Sequence, residues 1–165
     1  MKKGFTALLL ATIFPTASVA LSPLEREILE ELSCEVSPMS LEILTELTEA
    51  KKIIPEDNIG YDSLSCWTLL GGLNVAGMRF DSICAYEEDP ELQRAHPEFY
   101  YRGPGTSPGQ HLSLGTSVSV TALVDWSRSI FGPGKVSSAI SSDGSILEGL
   151  NDVTCSRFLA ASPRP

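Results

Sequence analysis

The sequence predicts an α+β domain: an antiparallel sheet of hairpins, helices packed on one of its faces, and disulfides stapling the single domain together. Three observations predict it. Amphipathic stretches of helical period follow an N-terminal apolar segment and recur between Val120 and Phe131. Period-two stretches punctuated by Gly-Gly and Asp-Gly lie between and after them. Four cysteines occur with no C-x-x-C pair. A chain of 165 residues that is 42% hydrophobic can bury one real core, so neither disorder nor a metal-dependent miniature fold is implied.

Residues 1–20 read as a signal peptide. Lys2 and Lys3 form the charged start, Phe5 to Phe14 the apolar run, and Ser18-Val19-Ala20 a small-x-small cleavage site after Ala20. The apolar run is too short to cross ~30 Å of hydrocarbon, and Pro15 interrupts it. The expected destination is the periplasm or the extracellular space. Residues 21–158 are then the domain and 159–165 a flexible C-terminal tail.

Ser22-Pro23-Leu24-Glu25 is a capping box with Pro at the first helical position, and Leu24, Ile28 and Leu32 recur on one face of a helix ending near Cys34. Ser37-Pro38 predicts a second helix with Leu41, Ile43, Leu44, Leu47 and Ile54 on its apolar face, its end complemented by Lys51 and Lys52 and stopped by Pro55. Asp57 to Asp62 reads as loop. Asp62 to Leu70 is open to a short helix capped by Gly71, but Cys66 to Leu70 is read as a strand that turns at Gly71-Gly72 into Leu73–Cys84. Met78, Phe80 and Ser82 alternate there with Arg79, Asp81 and Ile83.

Asp89-Pro90 begins a short helix that Pro97 ends. Tyr100 to Gly109 is an exposed Gly/Pro-rich loop, followed by a brief strand at Leu112 and Leu114. A helix opened by Thr116 or Ser117 presents Val120, Leu123, Val124, Ser127 and Phe131 on one face and closes at Gly132, although the alternation Val118, Val120, Ala122 also allows a strand at its start. Val136 to Val153 reads as a hairpin turning at Asp143-Gly144. The segments ending in Cys84 and Cys155 echo each other, either as a duplication or as two similar hairpins of one sheet.

Export makes Cys34, Cys66, Cys84 and Cys155 a disulfide framework. Three connectivities are open and sequence alone does not choose; the pairing favoured is Cys66–Cys84 with Cys34–Cys155. Removing residues 1–20 leaves 10 basic against 21 acidic residues, a net charge of −11. That field disfavours nucleic acid and anionic lipid and favours a basic protein partner.

Chemistry is sparse. Gly105-Thr106-Ser107-Pro108-Gly109 matches G-x-S-x-G, but Pro108 removes the N–H an oxyanion hole needs, and no acid separates Ser107 from His111. His96, His111 and Glu98 could form a site only through folding, and Glu87 with Asp89 is a conceivable carboxylate pair. No catalytic residue, metal or cofactor is therefore assigned. The candidate binding surface is Tyr100, Tyr101, Arg102, Thr106, Ser107 and Gln110, where aromatic and Arg side chains flank a rigid loop, with Phe99 and a tyrosine able to anchor it. Trp67 and Trp126 are read as core. The expectation is an exported non-catalytic interaction module: an inhibitor, an immunity-type protein or an accessory subunit. The alternatives are a small carboxylate-dependent hydrolase and a small-ligand binder.

Overall fold

The computed structural model describes residues 20–35, 38–61, 63–100, 103, 109–133, 139–141, 147 and 149–157. Residues 1–19 of the expected signal peptide, Ser37 and the expected tail lie outside them. Ser22 caps α1 (Pro23–Leu32) with the reciprocal capping box, its hydroxyl accepting from Glu25 N at 3.2 Å while Glu25 Oε2 accepts from Ser22 N at 2.8 Å. The second helix, α2 (Ser40–Glu49), starts later than expected, behind Met39, which offers no side-chain cap. It also ends before Lys51 and Lys52. Lys51 takes φ 55° and donates to Thr48 O, and Lys52 N reaches Leu47 O at 2.8 Å. This is a Schellman ending built without glycine, so the two lysines close the helix through backbone geometry.

A 3₁₀ turn (Pro55–Asp57) and β1 (Ile59–Tyr61) occupy the stretch expected to be loop. The sheet continues through β2 (Leu64–Val75) and β3 (Met78–Tyr86), then α3 (Pro90–Ala95), β4 (Gln110–Thr116), α4 (Val120–Phe131), β5 (Ala139–Ser141) and β6 (Asn151–Arg157). Its order is β1-β2-β3-β4-β6-β5, with all pairs antiparallel. Asp89 caps α3 as the sequence implies, whereas α4 is capped by Ser119 rather than by Thr116 or Ser117. Thr116 is still in β4, and its hydroxyl donates to Arg79 O at 2.7 Å.

Gly71-Gly72 is not the turn. β2 runs through both glycines, each at φ +71°, and the turn falls at Ala76-Gly77. Thr68 faces Ser82 while Leu73 faces Phe80, so β2 bulges between them. Arg79 Nη1 donates to Gly71 O at 3.1 Å and Lys52 Nζ to Gly72 O at 2.9 Å. The bulge needs glycine for its φ, while a Cβ on Gly72 would only push aside the guanidinium end of Arg79.

At the other end Ser141 faces Asp152, a register too wide for strands leaving a two-residue turn at Asp143-Gly144, which lie outside the described residues. The last strand also continues past Cys155 to Arg157, paired with Gln110.

Register explains the core. Trp67, Ile83, Leu114 and Val153 lie side by side across four strands, all buried, in one cluster with Ile28 and Leu32 of α1, Ile43, Leu44 and Leu47 of α2, and Leu123 of α4. Each such buried side chain contributes about 1.5–3 kcal/mol. The neighbouring row, Cys66, Cys84, Ser113 and Thr154, points to the opposite side. The period-two pattern of β3 holds from Arg79 to Asp81 and stops at Ser82, beyond which every residue to Tyr86 is buried.

The disulfides are Cys34–Cys155 and Cys66–Cys84, with Cα separations of 5.5 and 4.1 Å. The first ties the end of α1 to β6 and the second staples directly opposed positions of β2 and β3. The echoing segments supply one cysteine to each bond. They are not in equivalent registers: Cys84 faces Ser113, whereas Cys155 faces Leu112.

Candidate functional site

Three separate parts of the chain meet beside the end of β3. Glu87 follows that strand and is 2% exposed. Its Oε1 accepts from the backbone N–H of Asp89 at 2.9 Å and from Gln110 Nε2 at 2.9 Å. Gln93 of α3 donates from Nε2 to the carbonyl of Glu87. Asp89 Oδ1 accepts from Glu91 N at 2.7 Å, which orients the carboxylate as it caps α3. Tyr100 is buried beside this group, its hydroxyl 3.1 Å from Ser40 Oγ at the start of α2. Burial, then the charges of Glu87, Glu42 and Glu98, push the phenol up to about 12, against the opposing hydrogen bond from Ser40.

A cleft of about 440 Å³ opens here, within the size range of ligand sites. Its apolar walls are Leu41, Leu92 and Met39, the last 55% exposed. Its polar lining is Glu42, Glu87, Asp89 and Gln110. Gln110 is buried, and its Oε1 has no hydrogen-bond partner. The amide orientation follows from Glu87, because the flipped amide would set Oε1 against a carboxylate oxygen. Gln110 Oε1 is itself enclosed, so the acceptors the cleft offers are the carboxylates of Glu42, Glu87 and Asp89.

Acidity extends from Glu42 across both N-terminal helices. Burial first, then Glu42, Glu46 and Glu30, raise the carboxyl of Glu27. Burial also raises Glu31, with Glu27, Glu42 and Glu30 adding repulsion against the lowering hydrogen bond from Met39 N. Among the described residues, ion pairs involve Arg79–Asp81, Arg94–Glu91, Arg128–Asp125 and His96–Glu98, and none reaches these carboxylates or those of the cleft.

Of the six residues expected to form a binding loop, Tyr100 and Gln110 are buried rather than presented at the surface, because both carry the packing beneath the cleft. Phe99 lies with them, its ring 6.2 Å from that of Trp67 and 6.5 Å from that of Tyr100. Tyr101, Arg102, Thr106 and Ser107 lie outside the described residues. The conceivable carboxylate pair, Glu87 and Asp89, does share the cleft, and its neighbours Met39, Leu41 and Glu42 come from a helix no motif had connected to it. Nothing local marks them, since α2 reads simply as amphipathic.

The histidines separate. His96 Nδ1 lies 3.2 Å from Glu98 Oε1, and His111 on β4 faces Ser156 on β6, with Nδ1 2.6 Å from Oγ. Burial pulls His111 down to about 4. Among the described residues no three His, Cys, Asp or Glu side chains gather as a metal site.

Other depressions occur among the described residues. One is an open hollow of about 540 Å³ beside Asn58 and Glu98, whose Asn58 Oδ1 is already taken by Cys66 N and whose Glu98 is paired with His96. Another is a groove between α1 and α4 containing Leu29 and Ile130. Compared with known protein families, curated proteins and solved structures, the chain matches none.

Proposed function

We propose that the protein is an exported, non-catalytic binding module that engages a basic protein partner through its α1–α2 side, in the manner of an inhibitor, immunity-type protein or accessory subunit. The observation that carries this reading is the set of carboxylates on α1 and α2, Glu27, Glu30, Glu31, Glu42 and Glu46, which crowd one another without a cation among the described residues. A partner's Lys and Arg groups relieve that repulsion and gain on-rate from the field. Two disulfides fit an oxidising, extracytoplasmic compartment, consistent with residues 1–20 acting as a signal peptide.

The test is titration of the mature protein with a synthetic peptide of mixed Lys and Arg, at low and high salt. Binding that weakens with salt, and weakens further in Glu27→Gln/Glu46→Gln, is expected. Equal binding of an acidic peptide would overturn the reading. A carboxylate-dependent hydrolase is the second reading, favoured by Glu87 and Asp89 lining one cleft. Turnover of a glycoside or peptide substrate, abolished by Asp89→Asn, would establish it instead.

A further inference from the structure

We infer that the groove between α1 and α4 is the docking site of this chain's own Phe158-Leu159-Ala160-Ala161 segment, which follows β6 directly. The groove measures about 500 Å³ and carries Leu21, Leu29, Ile130 and Phe131, with Glu30 and Glu35 on the α1 side. Leu21 and Ile130 are 40% and 37% exposed there. Leu29 and Phe131 are half-buried and pack against the core, and the Phe131 ring lies 6.0 Å from that of Trp126. The groove is thus an apolar continuation of the core that the described residues leave uncovered.

Position selects the occupant. β6 ends at Arg157, opposite Gln110, the first residue of its partner β4, so the ladder runs out at that point. Arg157 is held at the mouth of the groove: its Nη1 donates to the carbonyl of Glu35 at 2.9 Å, and Cys155 is bonded to Cys34. The apolar run Phe158-Leu159-Ala160-Ala161 begins at the next residue. Extended, it spans ~13 Å, against ~10 Å of α1 between the groove residues Ser33 and Arg26. Run and groove therefore match in length and start from one place. Phe158 brings a ring to the edge of Phe131, and Leu159 a branched side chain to Leu29 and Ile130. The tether holds the segment at an effective concentration on the order of mM, which favours it over a second copy or a free partner of the same apolar chemistry. The inference is independent of the basic-partner reading, since it asks no carboxylate to bind a cation.

The experiment uses methyl-labelled mature protein, through to Pro165, and looks for nuclear Overhauser effects from the Phe158 ring to the methyl groups of Leu29 and Ile130. They are expected, and expected unchanged over about a tenfold range of protein concentration, as an intramolecular contact requires. Ile130→Lys, at an exposed position, should abolish them. Phe158→Ser/Leu159→Ser should open the groove, so that a synthetic acetylated peptide of residues 158–165 binds this variant at least about tenfold more tightly than the wild type. Absence of the Overhauser effects, or equal peptide affinity for wild type and double variant, overturns the inference. Effects seen only between labelled and unlabelled copies overturn it in favour of a second copy as the occupant. Should Ile130→Lys disturb the fold, the peptide comparison still decides, because it leaves every groove residue in place.

Discussion

The two disulfides close loops of very different length, and that difference has a measurable consequence. Cys34–Cys155 joins positions 121 residues apart and Cys66–Cys84 positions 18 apart. In the chain-entropy account these closures restrict the unfolded state by about 5 and about 3 kcal/mol respectively. Packing losses nearly cancel in the comparison, since each bond has one fully buried cysteine, Cys155 or Cys66, and one that is 6–8% exposed. Cys34→Ala/Cys155→Ala should therefore cost about 2 kcal/mol more than Cys66→Ala/Cys84→Ala. With a urea slope of ~1–3 kcal/mol per molar, the two midpoints should differ by about 1 M. Urea denaturation followed by Trp67 and Trp126 fluorescence reads this directly, and reductant should bring all forms to a common low midpoint. Equal midpoints, or the reverse order, would refute the loop-length reasoning. A wild-type midpoint indifferent to reductant would refute the pairing itself.

Acid should weaken the fold through His111. Its folded value near 4 lies below the ordinary 6.5, so stability is fully present above pH 6.5 and is lost as pH falls toward 4, by up to ~3 kcal/mol. Denaturation midpoints across that window should flatten in His111→Asn, which keeps a group able to bond Ser156; parallel slopes in both proteins would dismiss His111 as the source. Gly115 has no room for a side chain, because a Cβ would run into Ser82 Oγ and meet Asp152 Oδ1 at 2.9 Å. Gly115→Ala should destabilise by ~1–3 kcal/mol, and an unchanged melting temperature would show that the two side chains yield freely. Ser22→Ala breaks the reciprocal cap of α1 and should cost ~1 kcal/mol in urea. The Glu25 carboxyl, held low first by the Ser22 N–H and then by its hydroxyl, should rise when followed by carbon NMR.

The candidate site was legible in the sequence only in fragments. Glu87 and Asp89 stood out as a carboxylate pair and Gln110 as part of a recognition loop, but neither reading placed them beside one another. Glu42 and Leu41 looked like ordinary positions of an amphipathic helix. Glu87 and Gln110 meet because β3 and β4 pair with Tyr86 opposite His111, so the residues just beyond each end fall side by side. Burial of Tyr100 was equally hidden, since an aromatic beside a Gly/Pro-rich stretch serves a core and an interface alike.

By itself the sequence determined what neighbouring residues decide: the capping box at Ser22, the proline that opens α3, the alternation from Met78, the amphipathic faces of α1, α2 and α4, and hence the α+β class. Each of those signals acts within about one helical turn or one pair of strand residues. Only the tertiary structure decided that Gly71-Gly72 is a bulge rather than a turn. Arg79 and Lys52 reach the two glycine carbonyls from elsewhere in the fold, and Leu73 finds Phe80 as its partner. Tertiary structure also brought the carboxylates of Glu42, Glu87 and Asp89 to one cleft. Those outcomes depend on contacts between residues far apart in the chain, whose energies no local pattern encodes.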